Sequence, residues 1–123
     1  MALDRLHGLH GFDRDTLLES DEAMGTQIEL AELWFGQGLF NRARALYEVI
    51  NDIHREQLGE EHESTLQSGY YLAFSLAETE ELRKAEKILE PISRYMTRLW
   101  GPTNEWSKAA VKKLESIRAD LGG

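Results

Sequence analysis

The sequence predicts an all-α domain of about five helices, arranged as a stack of antiparallel helix hairpins. Three observations lead there. Apolar residues recur at three- and four-residue spacing from Ile28 to Leu121, with 2 prolines in the chain and no competing strand alternation. Glycines stand where one helix should stop before the next begins. The whole pattern then returns after 42 residues, the mark of a repeated hairpin rather than an irregular bundle.

The elements follow in chain order. Residues 1–15, with Gly8 and Gly11 set among Leu3, Leu6, Leu9 and Phe12, lie outside the pattern and read as a flexible leader or the frayed remnant of a preceding helix. The helical domain occupies 16–121, its first repeat about 16–59, its second about 60–101, and a half repeat or capping helix 103–121. Thr16 and Glu19 have capping-box spacing, so the first helix is expected to begin near Thr16 unless Gly25 interrupts it. Leu30, Leu33 and Trp34 share one stripe, and Gly36 and Gly38 end that helix. The second runs from about Phe40 to Gln57, with Ala43, Leu46, Tyr47, Ile50 and Ile53 on one side and Gly59 as terminator.

Shifted by 42 positions, Leu30, Ala31, Ala43, Glu48, Ile50, Gly59 and Glu63 fall on Leu72, Ala73, Ala85, Glu90, Ile92, Gly101 and Glu105. Conservative pairs join them: Phe40 with Leu82, Leu46 with Ile88, Tyr47 with Leu89, Leu58 with Trp100. The alanines carry the most physical weight, because a small side chain lets two helix axes approach closely, and a hairpin built twice needs that approach at the same places. Leu114 lies 42 residues after Leu72, so 103–121 reads as the first helix of a third unit that ends at Gly122 and Gly123.

The run Leu30, Ala31, Trp34, Gly38, Ala43, Tyr47, Ile50 resembles the tetratricopeptide repeat, and the 42-residue period with Gln57–Glu63 is similar to the kinesin-light-chain variety. The resemblance covers about residues 28–121 and implies a right-handed α-α superhelix whose first helices line a concave groove. Three positions depart from it. Glu80 replaces the turn glycine of the second copy, Glu63 stands where a proline often follows the histidine, and Pro91 sits where the first copy has Val49 and is expected to kink or split its helix.

Composition excludes several functions. The chain has 123 residues, no Cys and a net charge of −8, so disulfides and thiolate metal sites are ruled out and generic phosphate binding is disfavoured. No apolar run approaches membrane-spanning length and Met1–Phe12 lacks a signal-peptide core, so cytoplasmic localisation is expected. Charge is uneven: residues 1–80 hold 5 Lys/Arg against 16 Asp/Glu, net −11, whereas 81–123 are net +3. His7 and His10 have a metal-compatible spacing without a third ligand, and no metal or other cofactor is expected. His54 and His62 flank the Gly59 turn and read as polar caps, while Glu60–Glu61 and Glu80–Glu81 read as solvated turn carboxylates. With no nucleophile elbow and no phosphate-binding glycine loop, no catalytic residue is identified and the chain is not read as an enzyme.

The resemblance places the groove positions at Ile28, Glu32 and Phe35 in the first unit, Tyr70, Phe74 and Glu78 in the second, and Lys112 and Ser116 in the last helix. Two readings stay open. The aromatic and aliphatic members pack between hairpins, or they anchor a partner peptide whose basic segment answers Glu32 and Glu78. The first two units offer no Lys, Arg or Asn at these positions, which disfavours the carboxylate tails held by chaperone-type relatives of the repeat. The sequence thus predicts a protein–protein interaction module, a scaffold or adaptor that takes a protein or peptide and neither nucleic acid nor membrane, with homo-oligomerisation possible. The alternative is a structural, self-associating segment or a piece of a longer array.

Overall fold

Three different side chains, spaced 42 residues apart, open three helices by the same device. Ser20, His62 and Asn104 are extended N-caps, and each accepts a backbone N–H of the helix it starts: Ala23 N to Ser20 Oγ at 3.0 Å, Ser64 N to His62 Nδ1 at 3.0 Å, Trp106 N to Asn104 Oδ1 at 2.8 Å. The computed structural model describes Leu18 and residues 20–122. Its five helices are α1 (Asp21–Gly36), α2 (Phe40–Leu58), α3 (Glu63–Glu78), α4 (Leu82–Trp100) and α5 (Glu105–Asp120), and no strand occurs among the described residues.

The turns repeat with the caps. After α1, the N–H of Leu39 reaches Trp34 O at 2.9 Å, and after α3 that of Glu81 reaches Leu76 O at 2.8 Å. Gly38 takes φ 78° in the first turn, and Glu80 takes φ 71° in the second although it carries a side chain. Gly59 and Gly101 close α2 and α4 at φ 95° and 90°, their N–H groups bonded to Arg55 O and Thr97 O. Helices of 16 and 19 residues alternate as a result.

Packing is mainly between sequence neighbours, α1 on α2, α2 on α3, α3 on α4 and α4 on α5, as in a stack of hairpins. The core is continuous through all five, and the expected small residues Ala31, Ala43, Ala73 and Ala85 are fully buried in it. Ring contacts join α1 to α3 and α3 to α5, so the odd-numbered helices lie side by side. Between α2 and α4, α3 passes closely at Gly69, where an added methyl would run into Ile92 Cδ1 and come within 3.3 Å of Asn51 Nδ2.

Several expectations change. The helix opens at Asp21 under Ser20, and Gly25 lies inside α1 without interrupting it. Thr16, Glu19 and the leader 1–15 with His7 and His10 lie outside the described residues. Pro91 does not split α4, which runs unbroken through it. His62 is a cap as expected, but His54 is not: it lies inside α2, only 8% exposed, with Nδ1 2.9 Å from Ser68 Oγ of α3. No described helix is long and apolar enough to cross a membrane.

Candidate functional site

The shared face of α1, α3 and α5 carries a chain of rings. On α3, Tyr70, Tyr71 and Phe74 fall within one turn, the spacing that brings i and i+4 side chains to one face. Phe74 meets Phe35 of α1 edge-on at 4.9 Å, and Phe35 meets Tyr71 at the same distance. Tyr70 and Tyr71 each meet Trp106 of α5 edge-on at 5.7 Å. Beneath them, Tyr47 of α2 stacks on Tyr71 at 5.2 Å, and Phe40 lies 5.4 Å from Phe35. Edge-to-face pairs at these distances contribute about 0.5–1.5 kcal/mol each beyond area burial, enough to fix the strip in shape.

The rings differ in how they are held. Phe35, Tyr70, Tyr71 and Trp106 are half-buried and rest on the core cluster. Phe74 is also half-buried, but its recorded neighbours are other rings and the Lys113 ammonium, which sits 3.8 Å from its centroid. The same ammonium lies 2.7 Å from Glu78, and the Lys113 side chain is only 14% exposed. Glu78 is therefore already neutralised within the molecule.

Of the other positions expected to line a groove, Ile28 is half-buried on α1 and Glu32 is exposed one turn further on. Lys112 and Ser116 are exposed on α5, and the ring strip is met there by Trp106 and Lys113 instead. Tyr71, Trp106, Lys113 and the α2 residues Phe40 and Tyr47 were not among the expected groove residues. Tyr71 and Lys113 are 42 residues apart, each one position beyond an expected groove residue, Tyr70 and Lys112, so the aromatic density at 70–74 was the signal available.

Between α1 and α3, floored by α2, lies a small cavity of about 70 Å³. Ile28, Glu32, Tyr47, His54, Gln67 and Tyr71 are among its walls. Burial raises the Tyr47 hydroxyl pKa, the Glu32 carboxylate and Tyr71 raise it further, and burial followed by Glu32 does the same to Tyr71. Burial lowers the His54 pKa against the opposing pull of a hydrogen bond to the Ser64 backbone, and His62 adds to the lowering. Deeper in the α2–α3 seam, Asn51 Nδ2 donates to Thr65 O at 3.0 Å and Ser68 Oγ at 3.1 Å. The Tyr47 hydroxyl, by contrast, is buried without any hydrogen-bond partner.

Among the described residues no group of three or more His, Cys, Asp or Glu is placed to hold a metal ion. Comparison with protein-family models, with curated proteins and with solved structures gives no match.

Proposed function

We propose that the chain is a protein–protein interaction module of the tetratricopeptide type, with repeats of the kinesin-light-chain kind, which binds a peptide or partner helix along the face shared by α1, α3 and α5. Binding, not catalysis, is the work assigned to it. The observation that carries this reading is Phe74: a large ring at the middle of the strip, half-buried and held by other rings and Lys113. Its ring neighbours fix its position, and aromatic anchors dominate binding where they are rigidly presented. The test is a random peptide library selected against the protein and counter-selected against Phe74→Ala. Peptides that bind the parent and not the variant are expected; a selection that yields only peptides indifferent to the substitution contradicts the proposal.

A second reading, self-association or continuation of the stack, has its own observation. Leu33 is 55% exposed, whereas the residues 42 and 84 positions later, Ser75 and Ile117, are buried at 0% and 1%. Those two lie on helices that follow another helix in the stack, so Leu33 marks an outer face of α1 that a further helix can cover. On this reading Leu33→Glu abolishes concentration-dependent association in sedimentation. A monomer at all concentrations for the parent contradicts association through this face.

A further inference from the structure

The junction from α2 into α3 places two histidines where the matching junction from α4 into α5 has none. His54 and His62 lie 42 residues before Met96 and Asn104. Met96 is fully buried, and Asn104 caps α5 through Oδ1, 2.8 Å from Trp106 N. At the second junction, packing and capping are met by side chains that do not titrate. The fold itself therefore requires a histidine at neither place.

At the first junction both imidazoles converge on the first turn of α3. His62 Nδ1 accepts the Ser64 N–H at 3.0 Å. His54, from α2, bonds the backbone of the same Ser64 and sets its Nδ1 2.9 Å from Ser68 Oγ, one turn further on. A ring nitrogen that accepts an amide proton has to be free of its own, so the cap exists only while His62 Nδ1 is unprotonated. An imidazolium is also unfavourable at a helix N-terminus, whose free N–H groups carry partial positive charge. Ser20 Oγ and Asn104 Oδ1, which cap the sister helices, keep their acceptor lone pairs as pH falls. Behind the cap, His54 is 8% exposed, and a second ring proton would put an imidazolium into the α2–α3 seam. It would stand against Ser68, which Asn51 Nδ2 already engages at 3.1 Å while also holding Thr65 O at 3.0 Å. Other titratable and charged groups surround the pair. Glu32 of α1, Tyr47 of α2 and Tyr71 of α3 line the cavity with His54, and Arg55 beside it pairs with Asp52. Glu60, Glu61 and Glu63 flank His62 in the chain, and Arg98 of α4 reaches Glu61 at 2.6 Å.

We propose that His54 and His62 form a pH-sensitive latch on the first turn of α3, closed while both rings are neutral and released as they take up protons. His54 takes its proton at lower pH than an open histidine, because burial and the charge of His62 both resist it. Release is local. The rings further along α3 are held from α1 and α5, Phe74 by Phe35 at 4.9 Å and Tyr70 by Trp106 at 5.7 Å. The latch is independent of what the ring strip binds.

The test follows the full chain by NMR from about pH 7.5 to 5, the range in which histidine side chains change charge. Water-exchange rates of single amides are corrected for the pH dependence of an unstructured peptide, and ring nitrogen shifts report the charge of each histidine. The Ser64 amide is expected to exchange about fivefold faster at the acid end, in step with the His62 ring. The Ala23 and Trp106 amides, under Ser20 and Asn104, are internal references and stay constant. The Asn51 side-chain amide reports the seam and moves at lower pH, together with the His54 ring. His62→Asn, which gives α3 the cap of α5, should hold the Ser64 amide constant over the whole range. His54→Gln should remove the Asn51 step and leave that of Ser64. A Ser64 amide that tracks the two references in the parent, or still responds in His62→Asn, overturns the cap. An Asn51 amide that stays constant in the parent down to pH 5 overturns the part given to His54, whether or not His54→Gln folds well. Loss of protection throughout the chain at one pH, with the Phe35 and Phe74 ring signals moving at the same point, is global acid unfolding and overturns the local latch.

Discussion

Glu80 shows how a single residue can be held against its own preference by its neighbours. Its φ of 71° lies where L-residues are disfavoured by about 1–2 kcal/mol, yet the turn it makes matches that of Gly38, 42 residues earlier. The adjoining bonds, Glu80 N to Ala77 O and Glu81 N to Leu76 O, enforce the conformation. Glu80→Gly is therefore expected to stabilise the fold by about 0.5–1 kcal/mol, the relief of strain exceeding the extra chain entropy of glycine, as read by thermal or urea unfolding. A second residue-scale consequence concerns pH. Burial lowers the His54 pKa below its ordinary value of 6.5, so the unfolded chain takes up a proton that the folded chain resists. Stability is then fully present above pH 6.5 and falls as pH drops through the unfolded value, with the decline ending at the lower folded value. His54→Gln should flatten the melting-temperature profile below about pH 6.5. The sequence indicated the position of the second turn but not its strain, and it placed His54 at a helix end. One histidine at a three- or four-residue spacing can face solvent or the next helix, and only the seam against Ser68 decides it.

At the scale of the element, the helices and most of their ends were legible because glycines and apolar spacing pointed to the same stops, whereas the caps Ser20 and Asn104 were not read. The buried alanines follow from the 42-residue period. Ala43 and Ala85 are fully enclosed, and replacing either with leucine should cost about 1–3 kcal/mol in unfolding free energy as the paired helices are forced apart. Variants that melt like the parent would show that the register is wrong. Pro91 was harder to read. It removes one donor from α4 and the chain still continues as helix, with Ser93 Oγ donating to Glu90 O at 2.9 Å next to the gap. Gly69 passed unnoticed in the sequence because an isolated glycine within a helix has no local role. Its use is in the third dimension, at the point where α3 passes Asn51 of α2 and Ile92 of α4.

Over the whole molecule, a two-helix unit made twice, plus a further first helix, sets the odd-numbered helices side by side and leaves their aromatic residues on one surface. The sequence indicated that surface through Phe35, Tyr70 and Phe74, all of which the structure brings into one ring chain. It missed Tyr71, Trp106 and Lys113, since each step along a helix turns the side chain by about 100° and a one-residue difference in register selects another face. Charge at this scale favours the same kind of partner. Residues 1–80 are net −11, and among the acidic groups expected on the face Glu32 is the one not already matched by a lysine of the chain. Association with a basic peptide should therefore weaken as ionic strength rises, and the Glu32→Gln variant should lose most of that salt dependence.

The most direct test of the groove is a paired measurement on Phe74→Ala: affinity for a peptide selected against the parent protein, and melting temperature, in the same buffer. Because Phe74 is held by three rings and Lys113, the account predicts that the variant melts lower than the parent yet stays folded at the temperature of the binding measurement, where its affinity falls at least about tenfold. Unchanged affinity, or a collapse in melting temperature that removes binding along with the fold, would place this ring in the core and contradict the claim that the shared face of α1, α3 and α5 is built to bind.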